Sequence, residues 1–175
     1  MTLDAEKHVM LSYNWNNQAL VSKIHDILID EGIKVWMDIN GGMGDNINIS
    51  MAEGVENATV VCCFMTPDYQ KSHNCQLELE YANKKEIRII PCMLGDKSDR
   101  KWKPSSWLGL ITGGLQYINL RDDSDSNIQL RARELIDRIK NQSSASTTKL
   151  VLAPIKLFEP IRDKTKAREL LKGKP

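Results

Sequence analysis

Short, almost wholly apolar runs alternate along the chain with longer stretches in which apolar residues recur at helical spacing. His8 to Tyr13 reads as a buried strand, and Asn14 to Gln18 as a polar turn. Leu20, Ile24, Ile27 and Leu28 then mark one face of a helix that stops at Gly32. Ile33 to Met37 predicts a second strand ending at Asp38, followed by the glycine-rich loop Asn40 to Asp45 and a short helix through Ile47, Met51 and Val55. Thr59 to Met65 is a β-branched, fully apolar third strand. Thr66-Pro67-Asp68 is a helix-start signal, and helical character continues to about Lys85 with an interruption at Ser72 to Asn74. Ile87 to Leu94 is a fourth strand, whose Pro91 predicts a kink or a strand end. After the charged loop Gly95 to Pro104, a helical turn is expected at Trp107 to Ile111 and a fifth strand at Leu115 to Leu120. A last helix carries Ile128, Ala132, Leu135, Ile136 and Ile139 on one face.

Strand followed by helix, five times, with most strands apolar on both faces, is the pattern of a parallel sheet covered on both sides. The expected fold is therefore α/β: a flavodoxin-like doubly wound sheet of five parallel strands flanked by helices, over residues 1–141. The Ser/Thr-rich stretch from Gln142 opens a segment, 142–175, that reads as a polar linker and C-terminal tail able to lead to another domain.

At 175 residues the chain has room for a core that needs neither disulfide nor metal. Its formal charge of +1 gives no electrostatic case for nucleic acid or a membrane surface as partner. No apolar run approaches a membrane span, and Met1 to Lys7 lacks a signal-peptide core. Cys62, Cys63, Cys75 and Cys92 show no metal or redox spacing, so they read as reduced thiols in a cytoplasmic protein. Adjacent Cys62 and Cys63 are expected on opposite faces of one strand.

Ligands of open α/β sheets bind beyond the carboxyl ends of the strands, which selects Ser12 to Asn17, Asp38 to Asn46, Thr66 to Tyr69 and the loop after Leu94. The turn after the first strand has no glycine, so a dinucleotide fingerprint is excluded, and the cluster Gly41-Gly42-Met43-Gly44 follows the wrong strand with the wrong spacing. A phosphorelay receiver would need acidic residues where Ser12-Tyr13 and Met65-Thr66 stand. His73 and Cys75, two positions apart on a helix, point apart and do not make a nucleophile pair. Glu80 points away from Glu78 for the same reason and reads as surface.

Four segments, taken in order, resemble one family. Met10-Leu11-Ser12-Tyr13 resembles the opening strand of TIR domains, and Val35-Trp36-Met37-Asp38 their second strand. Thr66-Pro67-Asp68-Tyr69, Ser72 and Cys75-Gln76-Leu77-Glu78-Leu79 resemble their serine and cysteine-to-glutamate segment, and Ile89-Ile90-Pro91 a later strand. The resemblance covers roughly residues 6 to 140. It implies one of two functions, since some TIR domains cleave NAD⁺ and others are scaffolds for homotypic TIR–TIR contacts.

For the enzymatic branch the resemblance implies that Glu78 is the catalytic carboxylate. Nicotinamide is a cationic leaving group that needs no protonation, so one carboxylate that stabilises the oxocarbenium-like ribose suffices, as in half of a glycosidase pair. NAD⁺ is then substrate, with no prosthetic group and no metal. Ser12, Tyr13, Trp15, Asp38 and Cys75 are the candidate substrate-binding residues. In the axon-degeneration enzyme arginines follow the first strand, where Asn14 and Trp15 stand here. Ile39, Gly42, Met43, Gly44 and Asp45 fall in the family's BB loop, through which TIR domains self-associate. The expected partners are NAD⁺ and other TIR domains.

Overall fold

Why the apolar runs become strands is visible in how they pair. The computed structural model describes residues 7–38 and 47–141. Strands β1 (His8–Ser12), β2 (Val35–Met37), β3 (Ala58–Met65), β4 (Arg88–Met93) and β5 (Ile118–Asn119) form one sheet in the order β2-β1-β3-β4-β5. Every pairing is parallel. The connections are α1 (Gln18–Asp30), α2 (Ile47–Glu56), α3 (Pro67–Lys71), α4 (His73–Lys84) and α5 (Ser106–Thr112), and α6 (Asp125–Asn141) closes the fold. The doubly wound expectation is met.

Alternation along the strands sorts side chains into two cores. Val9, Leu11, Cys62, Phe64, Cys92 and Ile118 face α1 and α6. Met10, Val61, Cys63, Met65 and Met93 face α2 to α5. Cys62 and Cys63 therefore lie on opposite faces, as their adjacency requires, and all four cysteines are buried free thiols.

The edge strands are shorter than their apolar runs. Ile33 is spent on ending α1: Gly32 (φ 74°) adopts the left-handed conformation, Gly32 N–H donates to Ile29 and Ile33 N–H to Leu28. At the other edge Leu115 N–H bonds back to Thr112, and Leu115 and Tyr117 stay well exposed, so only Ile118–Asn119 pairs. Pro91 neither kinks nor ends β4, but sits inside it, opposite Cys63. Leu94 N–H bonds to Met65 of β3 and Leu120 N–H to Met93, so by alternation the odd residues of β4 face β5. Pairing with β5 begins only at Cys92, and the N–H that Pro91 lacks would have faced no strand.

The expected interruption falls at Ser72, whose extended backbone (φ −77°, ψ 118°) separates α3 from α4. At the far end α4 repeats the closure of α1: Ile87 N–H reaches Ala82 and Glu86 N–H reaches Asn83. Here the left-handed position is held by Glu86 (φ 58°), a non-glycine residue. Glu86→Gly is therefore expected to stabilise the domain by about 0.5–1 kcal/mol, read as a higher urea midpoint at unchanged slope. A lower midpoint would show that the Glu86 side chain contributes more than its backbone costs.

The five BB-loop residues Ile39, Gly42, Met43, Gly44 and Asp45, and the segment 142–175, lie outside the described residues. Among the described residues no helix is long and apolar enough to cross a membrane.

Candidate active site

The site grows from the end of β1 and from one face of α4. Ser12, the last residue of β1, is buried on the face that α4 covers. Thr66 Oγ1 accepts from Tyr69 N–H (3.0 Å) and starts α3, with Pro67 in the first turn. Ser72 then re-aims the chain and its Oγ accepts from Cys75 N–H (3.4 Å) to start α4. Cys75, Leu79 and Ala82 are the buried residues of that helix. Glu78 stands three after Cys75 and four before Ala82, so it belongs to the same stripe. A carboxylate placed there is carried onto the sheet, and Glu78 is partly buried.

Ser12 Oγ donates to Glu78 Oε2 at 2.6 Å. Ser12 Oγ also lies 2.8 Å from the hydroxyl of Tyr69. Because the single serine proton is given to Glu78, the Tyr69 hydroxyl donates to Ser12, and the chain runs Tyr69 to Ser12 to Glu78. Tyr69 is fully buried, which holds its hydroxyl well above the usual tyrosine range and keeps it a neutral donor. Burial pushes the Glu78 carboxyl up to about 7; the Ser12 hydrogen bond works against this and the charge of Asp38 adds to it.

Tyr13 donates its hydroxyl to the Asp38 carbonyl at 2.6 Å and ties the end of β1 to the end of β2. Burial, then the charges of Asp38 and Glu78, push Tyr13 up to about 12. Cys75 Sγ donates to the Tyr13 carbonyl at 3.5 Å, and burial raises its thiol to about 12. Cys75 is thus a packing residue with a protonated sulfur, and His73 is exposed.

Of the residues expected at the site, Tyr13, Trp15, Asp38, Cys75 and Glu78 line one cavity of ≈ 60 Å³ at the carboxyl end of β1 and β2. Ser12 stands behind it, against Glu78. Trp15, in the 3₁₀ turn Trp15–Asn17, is 44% exposed at the mouth, so its ring is open to stack on a ligand. Leu11, Met51, Ser72 and Asn74 complete the lining. Among the described residues the cavity lining contains two carboxylates and no basic side chain, an environment that favours a cation. Tyr69 is the member that reading the sequence missed as a site residue, although it sits in a segment quoted for the family resemblance. Glu80 is exposed and accepts from Gln76 at 2.8 Å, as a surface residue should. Among the described residues no group of three or more His, Cys, Asp or Glu is placed to hold a metal.

A five-stranded parallel sheet with a carboxylate cavity at the rim places the chain among flavodoxin-like doubly wound α/β domains. The sequence matches the TIR-domain family over residues 9–136, and the chain belongs to that family. Its fold is similar to the TIR domain of the Toll-related receptor TRR-2 from Hydra magnipapillata (18% identity, TM-score 0.58, 76% of this chain and 98% of that one). It is similar also to the TIR domains of the activated Roq1 resistosome, which recognises the pathogen effector XopQ (16% identity, TM-score 0.58, 77% and 99% covered). No curated protein sequence matches the chain.

Proposed function

We propose that this TIR domain is an NAD⁺ nucleosidase that breaks the bond between nicotinamide and ribose, with Glu78 as the catalytic carboxylate. The observation that carries the reading is the placement of Glu78: a partly buried carboxylate, held by Ser12 at 2.6 Å, on a cavity lined with Trp15, Tyr13 and Asp38 and, among the described residues, no basic one. A helix glutamate with only a surface role has no reason to carry a serine donor and a second, buried tyrosine donor behind it.

In the reaction the N-glycosidic bond breaks and its electron pair leaves with neutral nicotinamide. The cationic ribose is stabilised by the Glu78 carboxylate, and water adds at the anomeric carbon, giving ADP-ribose and a proton; capture by a nucleophile of the substrate itself gives a cyclic isomer. The approach of the cationic nicotinamide riboside favours ionised Glu78, as an opposite charge nearby does for any carboxyl. Trp15, exposed at the cavity mouth, is proposed to stack on the nicotinamide or the adenine.

A dinucleotide needs a pocket of roughly 300 Å³ or more, well above the ≈ 60 Å³ between these walls. Self-association through the BB loop, Ile39 to Asp45, is proposed to open and complete the pocket, which makes activity depend on protein concentration. The setting is innate-immune or cell-death signalling in the cytoplasm.

The test is nicotinamide release from NAD⁺ by concentrated protein, beside Glu78→Ala matched for folding by circular dichroism. Release by the wild type that falls at least ~100-fold in the variant is expected for loss of the group that stabilises the transition-state charge. No release by the wild type, even when clustered on a support, overturns the reading and leaves a domain that acts by TIR–TIR contact alone.

A further inference from the structure

A second cavity lies apart from the one that holds Glu78. It is a cleft of ≈ 590 Å³ at the carboxyl ends of the strands, walled by the segments that follow β1, β3, β4 and β5. Those after β1 and β3 diverge there, because the chain winds from β1 outward to β2 and from β3 outward in the opposite sense. In open α/β sheets that divergence is where ligands bind, and the volume lies in the range of small-molecule sites.

The walls are chemically sorted. Ala19, Leu20, Pro67 and Leu94 supply an apolar side. Lys71 and Lys97 are exposed at the mouth, Lys97 paired with Asp123 at 2.7 Å, and Arg121 lies deeper. Arg121 donates to the Trp102 carbonyl (3.1 Å) and the Tyr117 hydroxyl (3.5 Å), while its buried Nε has no hydrogen-bond partner. Asp68 accepts from Asn16, Asp96 from Ser98 and Asp123 from Lys97, and their remaining lone pairs add acceptors. An inorganic anion alone would leave the apolar wall uncovered. A ligand that brings a planar ring, hydroxyl donors and a phosphate together satisfies all three kinds of wall.

We propose that this cleft is a nucleotide site, separate from the Glu78 cavity, that takes a nucleoside phosphate with its base on the Ala19–Pro67 side and its phosphate at Lys71 and Lys97. The two cavities stand back to back. Asn16 of the cleft adjoins Trp15 of the Glu78 cavity, and Lys71 adjoins Ser72, while Asn16 Nδ2 donates to Asp68 at 3.0 Å within the cleft. The proposal does not depend on NAD⁺ cleavage.

ADP titrated into ¹⁵N-labelled protein tests it. The expected result is saturable shifts at the amides of Ala19 and Gly95, kept in Glu78→Gln and absent with adenosine at the same concentration. Lys71→Glu, an exposed change whose fold the same spectrum checks, should weaken ADP at least ~10-fold, since one charge-assisted contact to phosphate is lost and a repulsion added. No shift up to millimolar ADP overturns the proposal. So do shifts centred on Asn74 and Cys75, which would put the nucleotide in the Glu78 cavity, and binding indifferent to Lys71→Glu.

Discussion

Glu78→Gln is expected to lose nicotinamide release while gaining stability above pH 7. Burial raises the folded-state carboxyl to about 7 from an ordinary 4.5. An acid raised in this way favours folding while it is protonated. That contribution is fully present below pH 4.5 and is lost as pH rises through 7, where the fold must hold a carboxylate next to Asp38. Glutamine is neutral throughout and its amide oxygen still accepts from Ser12. The variant should therefore exceed the wild type by on the order of 2 kcal/mol at pH 8, and by nothing measurable near pH 4.5. Calorimetric melting temperatures of both proteins at the two pH values read this directly. A variant that melts below the wild type at pH 8 would mean that the ionised carboxyl is held more favourably than its surroundings indicate.

The same protonation sets the pH dependence of the proposed reaction. Only the carboxylate opposes the ribosyl cation, so the wild-type rate should rise with pH through about 7 and level off above it. A rate that falls across that interval would assign Glu78 the role of an acid instead. The group that would perform the chemistry is also one the fold holds at a cost, the usual relation between active sites and stability.

Gly54→Ala should destabilise the domain by about 1–3 kcal/mol, although alanine is the better helix former by about 1 kcal/mol and Gly54 lies inside α2. A Cβ at this position would stand 2.9 Å from Trp36 Cε2 and 3.0 Å from Cζ2. Trp36 cannot readily yield: its ring stacks on His8 (centroids 6.4 Å apart, planes at 22°), and His8 Nε2 is 2.7 Å from the Gly54 carbonyl. Helix, histidine and tryptophan form one closed contact, so added volume has to shift α2 itself, the element that carries Met51 into the Glu78 cavity. Urea unfolding of Gly54→Ala, alone and with Trp36→Leu, isolates the cause. The alanine should be harmful beside tryptophan and harmless or helpful beside leucine. Equal effects in both backgrounds would remove the close approach as the explanation.

The number of strands, their direction and the carboxyl-end rim follow from local pattern. A run such as Thr59 to Met65, apolar on both faces, is a strand buried from both sides, and helix-length connections supply the crossovers that parallel neighbours need. The ends of α1 at Gly32 and of α3 at Ser72 are likewise local, since a left-handed closure and a serine cap act within a few residues. The resemblance singled out Glu78, and the helical spacing Cys75, Glu78, Leu79, Ala82 already places it in the stripe that packs on the sheet.

Other features depend on distant partners. Pro91 is a strand breaker by its own chemistry, and only the late start of β5 makes it harmless. The apolar residues Leu115 and Tyr117 promise a strand, but β5 is an edge with one neighbour and needs only Ile118 and Leu120 inside. The donor chain from Tyr69 through Ser12 to Glu78 joins three elements, β1, α3 and α4, across 57 and 66 residues of sequence. The sequence by itself determined the elements and their parallel winding, because periodicity and capping are short-range, while the carboxylate to watch came from the family resemblance. Only the tertiary structure decided which strands meet at which register and how deeply Glu78 is buried. Those follow from which surfaces come together, and its proton affinity, like the second cleft behind it, depends on what packs around it.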